Sequence, residues 1–352
     1  MRPNTITDML GIRYPVFQGP MGAGLSTPAL VAAVTNAGGL GGYGAYTLQP
    51  AEIRELGARV GQLTAGPWNL NLWVSDIDPA LENYTEAAFD MVKSLFRPVF
   101  DELGIPVPSP KITIESKFAL QAEAMLAVKP AVFSFVFGIP DEAILRECRR
   151  QGIVTAGAAT TLDEALALEA AGVDVIVAAG FEAGGHRPSF LEKAEDSLHG
   201  TFALVQKLRW KVRKPIVAAG GIADAAGVEA ALRLGAAAVQ VGTAFLACEE
   251  SGASAAYRDR LFSPAAQYTE LTRAYTGRLA RAVRTQLPAR FAGMEHELAP
   301  FPLQSQLMAP VRQTALESGQ LEYSAVWAGQ NAGNLHHRKA PDLMEELTSL
   351  WR

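Results

Sequence analysis

Short apolar runs, many rich in β-branched residues and ending in Gly or Pro, recur along the chain up to Phe245, and an alanine-rich stretch with helical apolar spacing follows most of them. This alternation predicts β/α units. Strands are predicted at Pro15–Phe17, Leu40–Tyr43, Trp68–Trp73, Ala131–Phe135, Ile153–Ala156, Val173–Ala178, Ile216–Ala219 and Ala238–Val241, with helices at Thr27–Asn36, Pro50–Arg59, Asp141–Gln151, Thr161–Ala171, Phe202–Val212 and Asp224–Leu234. Several helix starts carry caps: Thr161-Leu-Asp-Glu164 reads as a capping box, and Asp141 and Asp224 stand where a side chain accepts first-turn amides. The strands are nearly continuous in apolar residues rather than alternating, so both faces are buried and the sheet is parallel. Eight such units predict a (β/α)8 barrel, an α/β fold.

The stretch between Trp73 and Ala131 is too long for one crossover and holds two helical segments, near Pro79–Leu103 and Ser116–Val128, so a helical insertion is expected over about 76–130. Beyond Phe245 the text turns mostly helical, broken by Pro288, Pro300, Pro302 and Pro310 and without further strand rhythm. The expected organisation is a barrel over 1–247 and a helical extension over 248–352 that packs on it and serves as a substrate lid.

Composition narrows the partners. With 352 residues, 49% of them hydrophobic, and 32 glycines, the chain has ample core for close-packed β/α units. The net charge of −5 and the absence of long Lys/Arg runs exclude the electrostatic footprint of nucleic-acid binding. Two cysteines, Cys148 and Cys248, are too few for a disulfide framework and have no zinc spacing, which fits a reducing compartment. The opening Met1-Arg-Pro-Asn-Thr5 lacks the apolar region of a secretion signal, and no apolar stretch reaches the roughly 18 residues of a membrane span, so a cytoplasmic protein is expected. A monomer or homodimer fits equally.

In a parallel barrel the working face lies at the C-terminal ends of the strands. There the sequence is rich in glycine: Gly220-Gly221 follows the seventh strand and Gly242-Thr243 the eighth. Glycine lets the main chain approach a phosphate, and the amides of such turns supply donors and partial positive charge. One Gly-Gly pair is an ordinary tight turn; two in consecutive units, where barrels bind phosphate, predict a phosphate-bearing cofactor. After the sixth strand comes Gly180-Phe-Glu-Ala-Gly-Gly-His-Arg187, which aims His186 into the same pocket as a candidate base. His199, His296, His336 and His337 lack such a setting and read as surface or lid residues. Pro20-Met21-Gly22 follows the first strand, where Met21 either packs on a planar cofactor ring or simply fills a turn. Asn71, with Asn69 as the alternative, is a polar group in an apolar strand and needs a partner, cofactor or protein. Neither cysteine stands at the working face, which disfavours thiol chemistry, and no metal-ligand motif occurs.

Taken in order, Gln18-Gly-Pro-Met21, Ser26-Thr-Pro28, Asn36-Ala-Gly-Gly-Leu40, Gly180–Arg187, Ala218-Ala-Gly-Gly-Ile222 and Gly242-Thr-Ala-Phe-Leu246 resemble the nitronate monooxygenase family, formerly called 2-nitropropane dioxygenases; weaker similarity continues at Trp327-Ala-Gly-Gln330. The resemblance covers most of residues 11–246. It implies a non-covalent FMN, oxidation of alkyl nitronates or nitroalkanes to carbonyl compound and nitrite, and O2 as oxidant. By that analogy His186 is catalytic; Met21, Gly22, Asn71, Gly180, Gly185, Gly220, Gly221, Gly242 and Thr243 contact the flavin, its phosphate on the last four. The chain departs from the family at Gly19, where many members carry Ala, and over Ala299–Met308, which lacks the tyrosines and lysine of members active on propionate 3-nitronate. Two alternatives keep the barrel: an FMN enzyme that draws electrons from NAD(P)H to reduce quinones or enoyl thioesters, and a barrel that binds a phosphorylated metabolite without chemistry.

Overall fold

The computed structural model describes residues 5–351. Most of the opening segment read above for a secretion signal, Met1–Asn4, lies outside the described residues. The barrel strands are β1 (Val16–Gln18), β2 (Gly41–Gly44), β3 (Trp68–Trp73), β4 (Val132–Val136), β5 (Val154–Ala159), β6 (Val175–Ala179), β8 (Ile216–Ala219) and β9 (Ala238–Val241), with the two-residue β7 (Gly185–His186) standing outside it. All barrel neighbours pair in parallel in the order β1-β9-β8-β6-β5-β4-β3-β2. Backbone bonds from Gln18 N to the Leu40 carbonyl and from Leu40 N to the Val16 carbonyl, both 2.9 Å, close the ring between its two ends. The fold is a TIM barrel, and its seventh and eighth strands are β8 and β9.

Two apolar layers follow from the strand pattern. Side chains pointing inward, among them Phe17, Val132, Val175, Val177 and Val217, fill the barrel, and Ile6 and Leu10 of the helix Thr5–Leu10 join this cluster. Outward-facing Leu70, Phe133, Phe135, Ile176 and Val239 pack against the surrounding helices. Each large aliphatic side chain so removed from water contributes about 1.5–3 kcal/mol. Close helix packing sets β2: a Cβ at Gly41 would lie 2.2 Å from the Val31 carbonyl oxygen.

Of the predicted caps Asp224 acts as expected, and Thr27 caps its helix as well. Thr27 accepts from Leu30 N at 3.0 Å and Asp224 from Gly227 N at 2.7 Å. Two differ. Asp141 makes no side-chain cap bond. Thr161 accepts from Glu164 N, but Glu164 does not return to Thr161; it accepts from Thr160 N and Oγ1, both at 2.6 Å, and from Phe190 N and Leu191 N, so this buried carboxylate ties the helix start to the loop after β7.

The region expected as one insertion divides. Helix Phe118–Val128 packs on helix Pro50–Leu63 and β3, and its Ala124 and Met125 belong to the outer barrel layer, so it is the barrel's own crossover after β3. Helix Glu86–Leu103, preceded by the short turn Pro79–Asn83, instead joins a separate core in which Phe89, Phe96 and Phe100 meet Leu287, Phe291, Leu303 and Val311 of the C-terminal region. That region also differs from the expectation of no further strands. β10 (Thr269–Thr272) and β11 (Ala280–Val283) form an antiparallel pair, and β11 pairs antiparallel with β7, placing Ala280 opposite His186.

Candidate active site

A cavity of about 250 Å³ opens at the C-terminal end of the barrel. Residues at or just beyond the end of each barrel strand line it, with Trp327, Gly329, Asn331 and Ala332 of the C-terminal region closing one side. The structure brings Met21, Gly22, Asn71, Gly185, His186, Gly220, Gly221, Gly242 and Thr243 to this one cavity. Gly180 is not among them. A Cβ there would lie 1.9 Å from Thr201 Oγ1 and 2.4 Å from Glu182 Oε2, so its lack of a side chain serves packing against helix Thr201–Arg209 rather than a cofactor.

The glycine turns lie at one end of the cavity. Gly220 and Gly221 have φ of 118° and 72°, a left-handed pair that an L side chain adopts only under strain. The amides of Gly221 and Ile222 donate to no backbone acceptor, nor do those of Thr243 and Ala244 at the start of the short helix Thr243–Leu246. Buried or cleft amides without acceptors call for an anion. A Cβ on Gly242 would meet nothing within 4 Å, so the space before this turn is open to a ligand. The neighbouring helix start is already filled: both Glu182 carboxylate oxygens accept from Thr201 N at 2.9 Å. An anionic group therefore has its place on the two glycine turns. These residues fit the phosphate of a flavin mononucleotide, and Met21 and Asn71 line the same cavity.

Of the two asparagines in β3, Asn71 faces the cavity and donates through Nδ2 to Ser134 Oγ at 3.0 Å; Asn69 accepts from Ser134 N and does not line the cavity. Asn71 Nδ2 thus has a protein partner, while its side-chain Oδ1 accepts from none of the described residues.

His186 occupies the other end. Its place on β7, held by β11, fixes the backbone, and its ring packs against Trp73 at 5.0 Å and Trp327 at 5.2 Å between centroids. Nε2 lies 2.9 Å from Thr276 Oγ1, which also lies 3.2 Å from the Arg278 carbonyl oxygen. With the hydroxyl proton donated to that carbonyl, the oxygen accepts from Nε2–H, and Nδ1 is then unprotonated and without a partner among the described residues. The ring is partly exposed and lines the cavity. Burial, with the Arg278 charge as a smaller contribution, pushes its pKa down to about 3, so the imidazole is neutral throughout the physiological range.

The loop bearing His186 is held from several sides. The buried Arg187 guanidinium donates to the carbonyls of Ala179, Ser197 and Thr160. Arg281 donates through Nε to the Phe181 carbonyl at 2.9 Å. The C-terminal region ties down the glycine turns: Gly329 N donates to Thr243 Oγ1 at 2.9 Å and Asn331 Nδ2 to the Gly221 carbonyl at 3.2 Å.

The structure adds residues that the sequence did not single out. Tyr46, Trp73 and Phe137 follow or end β2, β3 and β4 and form an aromatic wall, Tyr46 and Trp73 stacked at 3.8 Å. The rule that picked out the glycines, position just after a strand, applies to these three as well. Phe137 holds φ at 62°, a conformation uncommon outside glycine. Thr276 had no such signal, because long-range pairing alone brings it to His186, and Trp327 had only the resemblance of Trp327–Gln330.

The other histidines divide. His296 and His336 are exposed and His337 hydrogen-bonds Glu346 at the surface, whereas His199, expected at the surface, is half-buried with Nδ1 enclosed and its carbonyl accepting from Phe181 N. Burial raises both cysteine pKa values, that of Cys148 to about 11, consistent with inert thiols. Among the described residues no group of three or more His, Cys, Asp or Glu converges on a metal-sized site, and no helix is long and apolar enough to cross a membrane.

Comparison with known proteins points the same way. The family model for nitronate monooxygenase matches residues 4–349. A probable nitronate monooxygenase of Staphylococcus aureus strain MRSA252 is 37% identical over 329 residues, 93% of this chain and 91% of the relative. Among solved structures, nitroalkane oxidase from Streptomyces ansochromogenes superposes with a TM-score of 0.89 at 33% identity, covering 98% of this chain and 96% of that one. FabK from Thermotoga maritima superposes at 0.75 and 28% identity, covering 98% and 94%.

Proposed function

Since this chain belongs to the nitronate monooxygenase family, a flavin-dependent family of oxidoreductases, we propose that it binds FMN and oxidises alkyl nitronates, with O2, to carbonyl compound and nitrite. One observation carries the reading: acceptor-free amides on two glycine turns and an unprotonated imidazole nitrogen share a single cavity. Gly220, Gly221, Gly242 and Thr243 would hold the phosphate, while Met21, Gly22, Asn71 and Gly185 border the ring. The flavin, when bound, supplies the electron-transfer chemistry.

The chain's own residues do the rest. With a neutral nitroalkane, His186 Nδ1 takes the α-carbon proton, the C–H electron pair stays on the substrate as the nitronate, and Thr276 keeps the ring oriented as it becomes cationic. With a preformed nitronate the same ring only orients it. Trp73, Tyr46, Phe137 and Trp327 exclude water around the reacting carbon.

Purified protein should show a flavin spectrum; anaerobic addition of a nitronate should bleach it, and aerobic turnover should release nitrite. No bleaching by any nitronate would remove the assignment. Faster bleaching by NADH than by nitronate would instead identify an NAD(P)H-using reductase, and colourless protein that FMN does not reconstitute would leave a phosphorylated-metabolite barrel.

A further inference from the structure

No Asp, Glu, Lys or Arg is among the described residues that line the cavity, and its histidine is neutral. Three buried arginines pack behind the wall without lining it. Arg187 donates to the carbonyls of Ala179, Ser197 and Thr160, and Arg281 donates to that of Phe181. The guanidinium of Arg278 packs over the rings of Phe137, Phe301 and Trp73, its central carbon 4.2, 4.5 and 5.5 Å from their centroids.

Around the imidazole the wall is aromatic. The ring centroids of Trp73, Trp327 and Phe137 lie 5.0, 5.2 and 6.4 Å from that of His186, and Tyr46 stacks on Trp73 at 3.8 Å. The polar side chains of Thr243 and Asn331 stand instead at the glycine turns, bonded to Gly329 N and to the Gly221 carbonyl.

A substrate whose α-carbon meets His186 therefore lays the rest of its chain against aromatic surface. An apolar chain gains by leaving water there. A carboxylate on that chain would shed its hydration with no cation on the wall to pair it, and an unpaired charge out of water is costly. The charge of the nitronate head is a different case. When His186 takes the α-proton it becomes an imidazolium, so the head's charge arises as one half of an ion pair and the cavity stays neutral overall. A charge fixed on the tail has no such counterpart.

We propose that this site selects nitro compounds with an uncharged hydrocarbon chain and discriminates against those that bear a carboxylate. The proposal rests on the reading of the cavity as the substrate site for nitronate chemistry and names the class of chain that it takes.

The test compares three ligands of similar size on flavin-loaded protein: 1-nitropentane, 4-nitrobutanamide and 4-nitrobutanoate. The amide and the carboxylate are close isosteres that differ by one charge, so the pair separates charge from polarity. Each is mixed anaerobically as the neutral nitro form, and its affinity is read from the rapid perturbation of the flavin spectrum that precedes any reduction. Salt at about 0.5 M screens the chain's net charge of −5, leaving the local environment to decide. Binding is expected to be tightest for 1-nitropentane, weaker for the amide, and weaker again by about tenfold or more for the carboxylate. A carboxylate that binds as tightly as its amide overturns the proposal, and so does a failure of all three to bind. The affinities do not depend on turnover. Binding in the expected order without flavin reduction by any nitronate would sink the nitronate reading and leave the selectivity standing; reduction by all three nitronates with equal affinity for carboxylate and amide would do the reverse.

Discussion

At the scale of single residues the site is governed by what water cannot reach. His186 is kept neutral by burial, and a neutral imidazole is the form a base requires. Its folded pKa, near 3, lies below the ordinary value of about 6.5, so between those limits the unfolded chain binds the proton more readily. Stability therefore rises with pH across that window and is level above it. The kcat/KM for a neutral nitroalkane should accordingly lack an acid limb near pH 6.5; its appearance there in a pH–rate profile would contradict the buried, neutral ring. His186→Asn should retain flavin while proton abstraction falls by about 10²–10⁴-fold, read by stopped-flow flavin reduction. The glycines separate into two kinds. Gly242→Val projects a side chain into open space, so flavin affinity should drop with the apoprotein's melting temperature unchanged. Gly220→Ala, at a φ of 118°, should cost about 1–3 kcal/mol of stability, visible in denaturant titration of the apoprotein.

At the scale of elements, Glu164 links a helix start to the catalytic loop. One buried carboxylate satisfies donors of Thr160, Phe190 and Leu191, and Glu164→Ala leaves them without acceptors; a loss of about 2–4 kcal/mol is expected by urea unfolding. The barrel strands were readable because a strand covered on both faces is apolar throughout, and β3, β8 and β9 have the bounds that the pattern predicts. β10 and β11 were not readable. Thr269-Glu-Leu-Thr272 and Ala280-Arg-Ala-Val283 carry polar or charged residues in their middles, which hides them from an apolar-run pattern, and β7 is only two residues long and pairs with β11 across nearly a hundred positions. The glycine turns and His186 were legible because a barrel's chemistry gathers after its strands. Thr276 was not, because only the assembled fold brings it to the His186 ring, ninety positions away.

At the scale of the molecule, two cores meet. The one formed by helix Glu86–Leu103 and the C-terminal region is separate from the barrel's, and it anchors Ala299 and Leu303, two residues to either side of Phe301, which packs on Trp73 at 5.2 Å. Phe96→Ala, a fully buried ring stacked on Phe291, should lower stability by about 3–5 kcal/mol. Because that core supports the aromatic wall rather than the glycine turns, nitronate KM should rise more than the flavin dissociation constant does. The bonds from Gly329 and Asn331 to the two glycine turns carry a different consequence. On the proposed reading they join the turns that would hold the phosphate to the C-terminal segment, so loss of the prosthetic group would loosen that segment too. Empty protein should then be clipped by proteases near Trp327 far sooner than loaded protein, and the prosthetic group's residence time should set the lifetime of the intact chain.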